Sequence, residues 1–464
     1  MPTPLTRRDL LAGAAALAAP QAQAADASRP NVLYLLADDL GWHDVGYHGS
    51  EILTPNIDKL AATSLELNRF YSCPVCSPAR ASLLTGRSPV RYGMIYSVMR
   101  PWDTWGIPQE ERVMSEAFRD AGYQTWMVGK WHLGHWNAKL TPNARGFDHY
   151  YGHVNGDIDY FKHVREEGLD WQRNGKSVVE EGYSTDLFAA EAVRLIEGRD
   201  RQRPFFFYLP FNAPHQPLMA PQPLIDAYSQ IKDPKRRTYA AMVTALDTAI
   251  GKVLAALERT GAAQNTIVIF HSDNGAQTLQ GGMNIPLRAG KSTTFEGGIR
   301  VPALLHYPGV LPAGVRSQQV ASVLDMFPTL AAAAGIAPKN DQPFDGRNIW
   351  EILKRAGGAA EPREDLLFAV GERGYWRHAI IRREWKLVTE QNQQSNELKN
   401  YLFHIEEDPF EEKNLAEAQP QLVRDLTVRI DEFRKLHPEG DIPVSSKRPP
   451  GFVPPRRWSD TAIV

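Results

Sequence analysis

The sequence predicts an α/β fold: a mixed, mostly parallel sheet flanked by helices, with a smaller C-terminal antiparallel sheet that carries one helix. Three observations lead there. Four apolar runs, residues 31–37, 124–128, 204–209 and 266–270, have the near-continuous hydrophobicity of strands buried on both faces of a parallel sheet. Between them, residues 56–63, 186–196 and 239–257 space their apolar side chains as helices do. Beyond residue 350 the pattern changes to short strand candidates, 366–370, 379–382, 386–389 and 401–403, and then to an amphipathic helix over 419–435.

These patterns divide the 464 residues into an N-terminal targeting segment (1–24), a large domain (29–350), a C-terminal α+β part (351–440) and a proline-rich tail (441–464). Apolar residues make up 43% of the chain, enough for a substantial core. The net charge of −2 provides no global basic surface for nucleic acid, although local clusters can still bind anionic sugars.

At the N-terminus, Arg7 and Arg8 precede an apolar run over 10–19, and Ala22-Gln23-Ala24 offers a small-residue cleavage site. This is the pattern of a twin-arginine export signal, which predicts a periplasmic or extracellular mature protein. The run is shorter than the ~20 residues needed to span a bilayer, so no stable membrane insertion is expected.

The apolar runs lead into polar residues, and in open α/β sheets sites form at the carboxyl ends of strands. The first ends at Asp38-Asp39, the second at Lys130-Trp131-His132, the third at Asn212-Ala213-Pro214-His215 and the fourth near Asp273-Asn274. Asp38, Asp39, Asp273 and Asn274 offer only oxygen ligands, which suit calcium or magnesium better than zinc. An isolated Asp-Asp pair also reads as a helix N-cap. The second acidic strand end, in the same topological position, favours a metal. The only cysteines, Cys73 and Cys76, form a C-x-x-C spacing that by itself suggests a redox pair or half a zinc site.

The residues after Cys76 point elsewhere. Cys76-Ser77-Pro78-Ala79-Arg80, extended through Leu83-Leu84-Thr85-Gly86, resembles the first sulfatase signature. Gly129-Lys130-Trp131-His132-Leu133-Gly134, within a longer matching stretch, resembles the second. The resemblance runs from Leu36-Ala37-Asp38-Asp39-Leu40-Gly41 to Asp408-Pro409-Phe410-Glu411. It is greatest to the arylsulfatase B, or N-acetylgalactosamine-4-sulfatase, branch.

The resemblance implies an alkaline-phosphatase-like fold, with 29–350 as the catalytic domain, and hydrolysis of sulfate monoesters. It implies that a formylglycine-generating enzyme oxidises Cys76 to formylglycine. One calcium ion would then be held by Asp38, Asp39, Asp273, Asn274 and an oxygen of modified Cys76. Arg80 and Lys130 would hold the diol and sulfate oxygens, His132 would deprotonate the diol, and His215 with Lys291 would protonate the departing oxygen. The expected substrates are sulfated carbohydrates, with a galacto-configured 4-sulfate foremost, and aryl sulfates.

Two other readings compete. Phosphonate monoester hydrolases of the same fold can share the Cys76 signature, whereas two-zinc relatives need more histidine and aspartate than an Asp273-Asn274 pair provides. A binding protein that has lost catalysis would have no need of Cys76, Arg80, both histidines and both lysines. The aromatic residues between Trp102 and Phe161, among them Trp105, Trp131, Trp136, Tyr150, Tyr151 and Tyr160, are candidates for sugar contact beside His153, Asn155 and Asp157.

Overall fold

The structure, a computed structural model, describes residues 29–339, 342–355, 360–372, 374–439 and 447–461. The expected export signal lies outside the described residues. The large domain contains strands β1 (Asn31–Ala37), β2 (Leu65–Tyr71), β3 (Gln124–Lys130), β4 (His149–His153), β5 (Val164–Arg165), β6 (Gly168–Leu169), β7 (Gln172–Arg173), β8 (Lys176–Ser177), β9 (Phe205–Pro210), β10 (Thr266–Ser272), β11 (Ala303–His306) and β12 (Val315–Ser322). Ten of them form one sheet in the order β12-β2-β11-β10-β1-β9-β3-β4-β7-β8, and β5 pairs with β6 separately. The central strands β10, β1, β9, β3 and β4 are parallel, as are β2 and β12, while β11 runs antiparallel to both of its neighbours. This is the mixed, mostly parallel sheet that the apolar runs predict.

The alternation of side chains along β1 explains why it is apolar throughout. Leu33, Leu35 and Ala37 enter a core shared with helices α1 (Pro55–Ala62), α4 (Ser184–Glu197), α5 (Gln222–Ala227) and α6 (Pro234–Arg259). Val32, Tyr34 and Leu36 enter a second core on the other face, shared with α2 (Cys76–Thr85), α3 (Met114–Asp120), α8 (Val323–Ala333) and α9 (Trp350–Lys354); the short α7 (Glu296–Ile299) packs through Ile299 against the C-terminal part. Helix α6 is long and apolar enough to cross a membrane, but here it is mostly buried as a core helix.

The C-terminal part is an antiparallel sheet of β13 (Leu366–Glu372), β14 (Tyr375–Arg382), β15 (Trp385–Asn392) and β16 (Leu398–His404), carrying α10 (Pro420–Arg434). Ile380, Leu387 and Leu402 face Val423, Leu426 and Ile430 of α10, while Ala379, Ile381, Val388 and Phe403 pack on Tyr71, Phe295 and Ile299 of the large domain. The proline-rich tail, described over 447–461, also returns to the large domain. Trp458 is buried in the α2/α8 core, and its Nε1 donates to the Arg165 carbonyl at 2.9 Å.

Candidate active site

The site gathers at the carboxyl ends of β1, β3 and β10, where the Asp38 N–H donates to the Ala213 carbonyl (3.1 Å) and the Asp273 N–H to the Ala37 carbonyl (3.0 Å). Asp39 then turns through a positive φ of 64°. Strands β3 and β10 each continue two residues beyond the sequence expectation, because Lys130, His271 and Ser272 are fully buried despite their polarity.

Helix α2 delivers Cys76 at its first position. Pro78 is tolerated in the first turn, where backbone N–H groups have no intrahelical acceptor. Gly86 ends the helix with a φ of 66°, and a Cβ there would meet Phe344 at 2.7 Å. Arg80, one turn after Cys76, lies on the same face. Its guanidinium is wholly buried and donates to Asp273 Oδ2 through Nε (3.1 Å) and Nη2 (2.8 Å), and to the Lys130 carbonyl through Nη1 (3.0 Å).

Around these atoms cations and carboxylates alternate. Lys130 Nζ lies 2.5 Å from Asp38 Oδ2. Lys291 Nζ reaches both Asp39 oxygens, at 2.6 and 2.8 Å, and Cys76 Sγ at 3.3 Å. Cys76 Sγ is 3.4 Å from Asp38 Oδ1. Burial works against the charge on Asp38, but Lys130, His215 and Arg80 outweigh it and hold the carboxyl below its ordinary range. Asp39 is likewise lowered by Lys291 and His215 against burial. Burial and Asp273 push the Cys76 thiol well above its usual value, so an unmodified Cys76 is a poor source of thiolate.

The two histidines present different nitrogens. A carbonyl can only accept, so the short contact from His132 Nε2 to the Met99 carbonyl (2.8 Å) places the proton on Nε2. Nδ1 is then a bare acceptor, buried and without a partner. Burial first, then Lys130, drive His132 well below the ordinary histidine range. His215 donates from Nδ1 to the Gln216 carbonyl (2.6 Å) and turns Nε2 toward Asp39 Oδ2, 3.7 Å away.

The donor set can hold a metal ion. Asp38, Asp39, Cys76 and His215 each offer a ligand atom, all within 4.8 Å of one another. Asn274 donates from Nδ2 to Asp39 Oδ1 (2.6 Å), and its buried Oδ1 has no partner. Asp38, Asp39 and Asp273 are balanced in formal charge by Arg80, Lys130 and Lys291. A divalent ion would therefore give the centre the positive surplus that an anionic ester needs.

A cavity of about 250 Å³ opens over Cys76, His132, His215 and Lys291. It is also lined by Arg100, Arg165, Gln277 and Glu372, which the sequence reading did not single out. Arg165 lies in Arg165-Glu166-Glu167-Gly168, which reads only as a polar turn, and Glu372 is far along the chain in the small sheet. The expected aromatic sugar platform is not in this cavity. Trp131, Tyr150, Tyr151 and Tyr160 are core residues, and Trp105 and Trp136 pack against the core, because the strand and loop carrying them face the sheet interior. His153 is buried, with Nδ1 on the Asn155 carbonyl at 3.0 Å, while Asp157 does line the cavity. Cys73 and Cys76 are both free thiols, and Cys73 contacts Ser82 Oγ at 3.3 Å.

Residues 30–336 match the sequence model of the family described as Sulfatase. The chain belongs to the sulfatase family. This sulfatase is 34% identical to arylsulfatase J of Mus musculus, over 90% of its own chain and 77% of that protein. It is also 34% identical to N-acetylgalactosamine-6-sulfatase of Homo sapiens, over 89% of its own chain and 86% of that protein. The solved structure of Ps i-CgsB superposes with a TM-score of 0.82 at 35% identity, covering 89% of this chain and 94% of that one. The complex of Ps i-CgsB with k-i-k-neocarrahexaose gives a TM-score of 0.81 at 34% identity, with the same coverage. The protein is therefore an enzyme that hydrolyses sulfate esters, on an alkaline-phosphatase-like fold. Its relatives' names span arylsulfatases and N-acetylgalactosamine-6-sulfatases, so they do not single out a branch.

Proposed function

We propose that this sulfatase removes sulfate from sulfated carbohydrates, with a galacto-configured 4-sulfate as first candidate, and that it also cleaves aryl sulfates. In this reading Cys76 is converted to formylglycine by a formylglycine-generating enzyme, and one calcium ion is held by Asp38, Asp39, Asp273, Asn274 and modified Cys76. The observation that carries the reading is the placement of Cys76 at the start of α2, among two buried cations, the part-buried Lys291 and three strand-end aspartates. The capture of Ps i-CgsB with an oligosaccharide supports the carbohydrate class.

When present, the hydrated aldehyde supplies one hydroxyl to attack sulfur and a second to expel sulfate, and calcium supplies polarisation of the sulfate oxygens. Here Cys76 Sγ marks the place of those hydroxyl oxygens. Arg80 and Lys130 are fixed before substrate arrives, so they stabilise developing charge without reorganising. Lys291 reaches both Asp39 and Cys76 Sγ, at the mouth of the buried set. His132 Nδ1 is the acceptor for a proton leaving the nucleophilic side chain, and His215, with Lys291, is placed to donate to the departing sugar or aryl oxygen.

Mass spectrometry and a substrate panel test the proposal together. The peptide containing Cys76, from a host able to mature it, should be lighter by about 18 Da, the change from thiol to aldehyde, while Cys73 stays unmodified. The purified enzyme should hold one equivalent of calcium and hydrolyse galactosamine 4-sulfate faster than the 6-sulfate. Unmodified Cys76 in an active enzyme, or two equivalents of zinc, would contradict the proposed chemistry. A preference for the 6-sulfate would overturn the regiochemistry alone. Export by the twin-arginine route is part of the proposal, and replacing Arg7 and Arg8 by lysine should retain the precursor in the cytoplasm.

A further inference from the structure

The cavity over Cys76 has a rim distinct from its catalytic floor, built from two ion pairs. Arg165 is paired with Asp157. The Arg100 guanidinium stands 3.6 Å from Glu372 Oε1, which also accepts from Ser97 Oγ at 3.1 Å. All four charged side chains line the cavity, and each is largely but not completely buried. They come from distant parts of the chain: Arg100 from the segment between α2 and α3, Asp157 and Arg165 from the segment after β4, and Glu372 from the last residue of β13. The small C-terminal sheet thus contributes one wall of the substrate cavity.

The charge balance of this rim is informative. Arg165 also lies 3.5 Å from Glu166 Oε1, so the two arginines face three carboxylates, Glu372, Asp157 and Glu166, and the rim carries no positive surplus. The floor cations Arg80, Lys130 and Lys291 already face aspartates. A divalent ion would add positive charge at the floor, where the scissile sulfate sits, and not at the rim. An ionised carboxylate accepts hydrogen bonds from sugar hydroxyls and repels a sulfate.

We propose that Asp157 and Glu372 are specificity residues, and that they select a sugar ring whose scissile sulfate is its only anionic group. Arg100 and Arg165 hold these carboxylates in place and do not recruit a second sulfate. A ring with two sulfates would bring its second anion against Asp157 or Glu372, whereas a hydroxyl there finds an acceptor. The inference rests on the carbohydrate-sulfatase reading above, since it concerns the ring that carries the ester.

The experiment compares kcat/KM of the matured, metal-loaded enzyme for N-acetylgalactosamine 4-sulfate, its 6-sulfate and its 4,6-disulfate, with 4-nitrophenyl sulfate as a small reference. The faster monosulfate should exceed the disulfate by about tenfold or more, the order expected when like charges meet in a specificity pocket. In Glu372→Gln or Asp157→Asn that ratio should shrink several-fold, because the repelling charge is gone while the shape is kept. A ratio is read because a merely structural defect lowers both rates together; melting curves confirm that the variants are folded. A wild-type enzyme that cleaves the disulfate as fast as the monosulfate overturns the inference. So does an unchanged ratio in both folded variants. If the nitrophenyl ester is turned over in either case, the sulfatase reading survives and only the rim assignment falls. If the nitrophenyl ester is turned over but no sugar sulfate is, the carbohydrate reading falls and takes the rim assignment with it. If no sulfate ester is hydrolysed at all, the wider reading fails as well.

Discussion

His132 shows how a single residue is prepared for proton transfer. Its ring is locked by the Met99 carbonyl on one side, and the missing Cβ of Gly156 gives it space, since a Cβ there would come within 2.6 Å of Nε2. The bare Nδ1 and the depressed basicity follow from burial and from the neighbouring Lys130 charge. His132→Gln should lower kcat by about 10²–10⁴-fold, the usual contribution of a positioned general base, with a smaller change in KM. Gly156→Ala should lower kcat by displacing the same ring. The pH profile provides a further check. A depressed histidine pKa means that the neutral, proton-accepting form persists as the solution becomes more acidic. Protonation of His132 should therefore contribute no loss of kcat near the ordinary histidine value of 6.5, and its acid limb should appear only well below that value. A kcat limb near 6.5 that disappears in His132→Gln would count against this assignment.

At the scale of elements, the tail and the β5/β6 hairpin form one unit. The Leu169 N–H donates to the Arg456 carbonyl (3.0 Å), Gly168 passes so close to Pro455 that a Cβ would lie 2.2 Å from its carbonyl oxygen, and Trp458 holds the Arg165 carbonyl. Trp458→Ala should destabilise the protein by about 3–5 kcal/mol, as removal of a large buried aromatic does, seen as a lower denaturation midpoint. Trp458→Phe keeps most of the packing but loses the bond to Arg165. It should raise KM for a sugar sulfate more than it lowers kcat, because Arg165 belongs to the rim and not to the floor. The sequence made the buried parallel strands legible because they are apolar on both faces. It did not reveal β12, whose Val315–Ser322 segment is largely polar, nor α2 through periodicity. Every residue of α2 is buried, including Ser77, Arg80, Ser82 and Thr85, so no amphipathic stripe exists and only the motif located it. Glu372 was missed for a related reason. The apolar pattern of β13 fades at Val370, yet the backbone pairing with β14 continues to Glu372 and brings that carboxylate to the cavity.

At the scale of the whole molecule, one buried charge cluster joins the two sheets. Lys386 of β15, fully buried, lies 2.8 Å from Glu296 of α7 and 2.8 Å from Glu411. The Glu296 N–H also donates to Glu411 Oε2 at 2.7 Å. Two carboxylates thus share one ammonium away from solvent. Lys386→Met should cost about 3–5 kcal/mol, because it leaves Glu411 buried without its counter-charge and Glu296 with Arg300 alone. The acids respond to pH in opposite directions. Burial raises Glu296, but Lys386 and Arg300 bring it below its ordinary 4.5, so its stabilising contribution is present above that value and lost as pH falls through the lower folded value. Glu411 is pushed up to about 7 by burial, against the attraction of Lys386 and with the added repulsion of Glu296. Its native form therefore takes up a proton before its unfolded form does. The cost of the ionised carboxylate is full above about 7 and is relieved as pH falls from there toward 4.5. The relief is on the order of 2–3 kcal/mol across that window. Urea unfolding should accordingly show a Glu411 contribution that raises the midpoint as pH falls through this window, against the opposite contribution of buried neutral histidines such as His132, His153 and His271, whose unfolded forms take up protons there. Glu411→Gln, which carries no ionisable group, should lose that contribution and so change the slope relative to wild type, whatever its effect on absolute stability. An equal slope in wild type and Glu411→Gln would show that the pH dependence arises elsewhere, and that Glu411 stays ionised in the joint between the sheets throughout the window.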